Sequence, residues 1–185
     1  DAKDYGIIDE VREPLHTAGL QWHGWALPDV KANAEEILRL AERQNRPRSL
    51  LIGLWGKWVS TVTQGRIVEA LDYAQRLLDE GTRRGEIDLH ILGHRGSMFS
   101  HFYLGNLRQA REHGDRALDL YDTSRAGRWI ELVGNDVRTA VGVCTSQAIW
   151  MLGYPDLAAQ MTDRKDADAR RLGHPFDTGW ALTWG

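Results

Sequence analysis

The side chains best placed to do chemistry are Glu86, His90, His94 and His101. At 100° per residue the three histidines fall within about 40° of one another on a helix, with Glu86 one turn earlier. Imidazoles at i and i+4 on one helix face can bind zinc, and a carboxylate can add a third ligand. The other reading of the same stripe is histidines that pack or line a groove. A metalloprotease pair needs a glutamate beside its first histidine, and none stands there. The reading adopted is therefore no catalytic residue, no metal and no cofactor, with the four-residue zinc set as the alternative.

Other catalytic chemistries lack their parts. A phosphate-binding loop needs Gly-x-x-x-x-Gly-Lys-Ser/Thr, so that backbone N–H groups cradle phosphate oxygens. Gly53-Leu54-Trp55-Gly56-Lys57-Trp58 has the wrong spacing and no hydroxyl after the lysine. Ser97 and Ser100 share a helix with His94 and His101, but no strained elbow or oxyanion hole accompanies them. Cys144 lies between Val143 and Thr145 in an apolar stretch and reads as a buried small hydrophobe. One cysteine excludes an intrachain disulfide, and a reducing, cytoplasmic setting fits.

The elements that carry these residues read as helices throughout. The chain has 185 residues, 42% apolar and 26% charged, with a formal net charge of −3. That balance fits a folded domain and gives no footprint for nucleic acid. The short basic clusters Arg43/Arg46/Arg48 and Arg164/Lys165/Arg170/Arg171 read as solvated helix faces. No uncharged apolar run is long enough for a membrane span, and the start carries no signal-peptide pattern. Residues 1–30 are weakly periodic, an irregular segment or partial first helix with turns around Ile7 to Leu15.

Residues 31–185 read as about four helical hairpins, the last one truncated. A first helix runs from an Asp29 cap to about Gln44. Residues 49–63 are apolar nearly all round, so that helix should be sandwiched between others. Further helices are expected from Ile67, over 86–104, from Leu107 to Tyr121 with Asn106 as N-cap, from Asp136 to Leu152, from Pro155 to Leu172, and from Phe176 onward. Asp122 to Asn135 reads as a long tether containing Arg125, Arg128 and Trp129. No stretch alternates with period two, so no sheet is expected. The start without methionine and the apolar segment at Trp184 suggest an excerpt from a longer protein.

Three turns share a pattern: Gly65/Ala70, Gly105/Ala110 and Gly153/Ala158 each place a glycine five residues before an alanine, from 65 to 105 to 153. This resembles the tetratricopeptide consensus, with glycine at the turn and a small alanine where paired helices touch. Ala74, Ala117 and Tyr121 fit its second-helix pattern in part, although the repeat is longer than the consensus. The runs Gly53–Trp58, Phe102-Tyr103-Leu104-Gly105, Trp150–Asp156 and Leu172–Phe176 are similar to the repeat region of bacterial multidomain signalling ATPases. Those proteins carry an adenylate/guanylate cyclase domain or a LuxR-type transcriptional domain. The resemblance implies an all-α, tetratricopeptide-like helical-hairpin solenoid acting as a regulatory or sensing arm.

The repeat register implied by the resemblance turns Ile52, Trp55, Val59, Arg95, Phe99, Phe102, Tyr103, Val143, Gln147 and Trp150 toward a concave groove. Of these, Trp55, Arg95, Phe99, Phe102, Tyr103, Gln147 and Trp150 are the partner-binding candidates. Inter-helix core is the competing reading for each aromatic. Arg95 and Gln147 stand out because polar groups in apolar helices need a reason. The expected partner is a protein or peptide, including another domain of the same chain, with no nucleic acid and no membrane. A small-molecule or metal receptor and a homodimer through apolar ends remain the alternatives.

Overall fold

A computed structural model describes residues 28–184. Among these the protein is all helical, 86% helix with no strand. The order is α1 (Pro28–Gln44), α2 (Pro47–Thr63), α3 (Ile67–Arg84), α4 (Ile87–Tyr103), α5 (Leu107–Leu120), a 3₁₀ turn (Thr123–Arg125), α6 (Ala126–Val133), α7 (Val137–Met151), α8 (Pro155–Leu172) and α9 (Pro175–Thr183). The expected turns around Ile7 to Leu15 lie outside the described residues.

The helices form two rows. Helices α2, α4, α7 and α9 touch one another in that order, and α1, α3, α5 and α8 each lie against the inner row. The sequence explains the split. Helix α3 buries Ala70, Ala74, Leu77 and Gly81, and α5 buries Ala110, Gly114 and Ala117, each a single stripe at helical spacing. Helix α2 buries every residue from Ser49 to Thr61 except Lys57, as its continuous apolarity requires. Lys57 keeps its charge at the rim, paired with Glu35 at 2.7 Å.

Chain reversals depend on left-handed glycines. Gly65, Gly105 and Gly153 have φ of 75°, 77° and 91°, a region that costs other residues strain. The alanines five positions on, Ala70, Ala110 and Ala158, are buried against the neighbouring helices. Asn106 occupies the N-cap position without a side-chain cap bond; its amide approaches His101 Nδ1 at 3.4 Å instead. Asp136 is a true cap, accepting the Thr139 backbone N–H at 3.0 Å.

Two sequence expectations change. The Asp122 to Asn135 tether folds into the 3₁₀ turn and α6, with Trp129, Leu132 and Val133 almost fully buried. The apolar spacing of Trp129, Leu132 and Val133 is helical, but it spans barely two turns before Gly134, so packing rather than propensity stabilises the helix. Lys165 does not belong to a solvated face. It is 3% exposed, its Nζ donating to the Ala181 carbonyl at 2.7 Å, because glycine at 142 leaves room for its stem.

Close helix approach requires glycine at several contacts. A methyl on Gly53 would lie 2.8 Å from the Leu38 backbone, which has no rotamer with which to move away. Gly53→Ala should therefore destabilise by about 1–3 kcal/mol, against the gain of about 1 kcal/mol that alanine normally brings inside a helix. Urea unfolding followed by circular dichroism checks the sign, and a raised midpoint would contradict the α1–α2 packing.

Candidate functional site

The inner row carries an aromatic series that ends on a buried charge. Trp55 and Trp58 stack at 4.5 Å, Trp58 meets Phe99 edge-on at 5.9 Å, and Phe99 stacks on Trp180 at 6.0 Å. The Trp58 indole N–H donates to Ser100 Oγ at 3.2 Å. Arg95 lies one turn before Phe99 on α4, with its guanidinium over the Trp55 ring at 4.5 Å.

Arg95 is fully buried. Its Nη2 donates to Asn135 Oδ1 at 3.1 Å, while Nε and Nη1 find no acceptor. Desolvation pushes its pKa down to about 10, opposed by the charges of Asp177 and Asp136. Neither carboxylate closes on the guanidinium. Asp177, fully buried at the start of α9, accepts the Asp136 backbone N–H at 3.0 and 3.1 Å and faces His174 Nδ1 at 2.6 Å. Burial raises the Asp177 carboxyl, against those two bonds. Asp136 accepts the Tyr121 hydroxyl at 2.5 Å as well as capping α7. The polar cluster thus fixes the entry to α7 and docks α9 onto it.

This arrangement changes where the candidate groove residues sit. Trp55, Arg95 and Phe99 are 1%, 0% and 6% exposed, and Ile52, Val59 and Val143 are buried as well. They form interior instead of an open groove. Phe102 is half-buried, and Tyr103 is exposed against it, ring centroids 5.7 Å apart.

Gln147 and Trp150 are the candidates that reach a surface cleft. Trp150 is 64% exposed, and with half-buried Gln147, Met151, Pro155, Ala159 and Trp184 it lines a cleft of about 640 Å³ between α7 and α8. Ser146, Thr162 and Asp163 supply polar groups around it. The cleft is an apolar floor with amide, hydroxyl and carboxylate groups, suited to holding a side chain and orienting a chain.

The histidine stripe packs across helices. His94 Nδ1 lies 2.9 Å from His113 Nδ1 on α5, so one ring must donate while the other accepts. His101 stacks on His113 at 5.5 Å. Glu86 is exposed at the N-cap position of α4. Among the described residues no group of three or more histidine, cysteine or acidic side chains is placed to hold a metal. His113 escaped the sequence reading, although its spacing from Ala110 and Ala117 puts it on the α5 face that meets α4. Cys144 is buried, its thiol pushed up to about 12 by desolvation, which leaves it unreactive.

No protein-family model, curated protein or solved structure matches the chain.

The histidine packing makes stability depend on pH. Desolvation first, then the neighbouring His113, His90 and Arg116 charges, push His94 down from 6.5 to about 4; burial also lowers His101 and His113. The unfolded chain then binds more protons below pH 6.5, so stability falls as pH drops from 6.5 toward 4. For half-buried groups the loss should be about 1–2 kcal/mol. Urea midpoints at pH 7.5 and 5 measure it, and His94→Gln should shrink the difference; an unchanged difference would exclude His94 as its source.

Proposed function

We propose that this chain is a non-catalytic interaction or sensing module that binds a segment of protein through the cleft between α7 and α8. Trp150 carries the reading. A tryptophan exposed beside an amide and over an apolar floor has the makings of an anchor for an inserted side chain. The two-row alternation of helices, the left-handed glycines and the buried alanines support a tetratricopeptide-like solenoid of about four hairpins. On the sequence resemblance to the repeat arms of bacterial signalling ATPases, the partner would be a separate protein or another domain of the same chain.

The cleft fits an occupant of defined chemistry. Trp150, Met151 and Trp184 would receive an aliphatic or aromatic side chain, Gln147 would bond the occupant's backbone, and exposed Asp163 would face a basic residue. Binding would bias an attached domain by favouring one packing of the helices over another. The apolar surface of Trp150, Met151, Leu182 and Trp184 also supports a second reading, in which a second copy fills the cleft.

A photo-crosslinking residue at Met151 should capture one defined segment in source cells, whereas the same residue at Val68, exposed on α3, should not. Trp150→Ala should weaken that capture by about 2 kcal/mol or more in affinity. Equal capture at both positions, or capture indifferent to Trp150→Ala, would remove the cleft as the binding surface. A crosslink between two copies would select self-association.

A further inference from the structure

The segment between α5 and α7 has the anatomy of a separable part. Its two ends are tied together, since the Tyr121 hydroxyl donates to Asp136 Oδ1 at 2.5 Å. Between them lie the 3₁₀ turn and α6, closed by Gly134 at a φ of 82°. A compact surface segment whose ends meet can leave its seat without unravelling the helices on either side.

Its seat joins a strong surface hold to a poorly matched interior. Arg125 and Arg128 both donate to the Asp88 carboxylate at the start of α4, at 2.8 and 2.7 Å. The carboxylate is nearly buried, while both arginines remain partly open to solvent. Beneath them Trp129, Leu132 and Val133 join the core that contains Trp55 and Trp58, and α6 lies against α2. Trp129 Nε1, Arg95 Nε and Nη1, and Asn135 Nδ2 are buried there without a partner. All four are donors. Closing the segment gives Arg95 Nη2 the Asn135 side-chain oxygen but takes these other N–H groups out of water without an acceptor, a penalty that opening relieves in part.

We propose that residues 122–135 form a latch over the inner face of α2 and α4, seated by Trp129, Leu132, Val133 and the Arg95–Asn135 bond and fastened at its rim by the Arg125 and Arg128 ion pairs to Asp88. The latch opens as a unit while the Tyr121–Asp136 bond keeps its ends in place. Opening uncovers Trp55 and the spare donors of Arg95, a surface matched to a ligand rich in carbonyl oxygens. Asp136 and Asp177 already oppose the charge of Arg95, so an acidic ligand gains less there than a neutral one. Salt favours the open state by screening the ion pairs. The α7–α8 cleft has no part in this device.

Hydrogen exchange followed by mass spectrometry on the whole chain tests it without a ligand. Residues 126–133 should exchange through their own opening, faster than α4 and α7. The surface double variant Arg125→Gln/Arg128→Gln should accelerate that exchange about tenfold, leave α3 and α5 unchanged, and abolish the acceleration that salt produces in the parent chain. Asp88→Asn should reproduce the effect from the other partner. Exchange of 126–133 in step with α4 and α7, or a double variant that loosens every helix equally, would overturn the latch. Trp150→Ala should leave the pattern untouched, which keeps this test separate from that of the cleft.

Discussion

A helix that is apolar around its whole circumference has to be covered on every side, and α2 imposes that requirement on the rest of the molecule. From Ser49 to Thr61 it exposes almost nothing, and Trp55 and Trp58 contribute large areas to what must be hidden. Helices α1 and α3 cover one side. Helix α4 stands beside it and is itself buried from Asp88 to Ser100 apart from His90 and His94. The row continues to α7 and α9, and α6 contributes further cover to α2. Glycines at 53, 93 and 114 permit the close approaches that make such complete burial attainable.

Within that interior the charges do structural work at some cost. The charges of Asp136 and Asp177 favour the charged form of Arg95 against its desolvation, yet neither carboxylate bonds the guanidinium. Asp177 ties α9 to the backbone at the start of α7, Asp136 caps α7 and holds Tyr121, and Arg95 rests on Trp55. A purely apolar replacement would be no less stable in principle. The polar groups instead specify which helix ends meet, so the entry to α7, the 122–135 segment and α9 converge on one place.

The same geometry separates two kinds of surface. The face over Trp55 and Arg95 is closed, whereas the cleft at Gln147 and Trp150 is open. Residues that the sequence reading assigns to one groove thus differ in exposure. The connection after α5 is long enough to fold back as α6 against α2, whereas short turns join the other helices, the first through left-handed Asn45 and the rest through left-handed glycines.

Much was legible in the sequence because it is local. Helical periodicity, the wholly apolar stretch at 49–63, the glycine-to-alanine spacing and Pro155 at a helix start mark elements within a few residues of one another. The all-helical class and the approximate helix boundaries follow from those signals. The exposure of the candidate residues does not. Whether Arg95 and Trp55 face solvent depends on what distant segments bring to them, such as Asn135 bonding Arg95 and α6 lying against α2, and no local pattern around residues 55 or 95 encodes that. His113 became part of the histidine cluster only when α5 was laid against α4, and Lys165 became buried only because residue 142 has no side chain. Local pattern fixes which face of a helix is apolar; the tertiary packing alone decides what, if anything, comes to cover it.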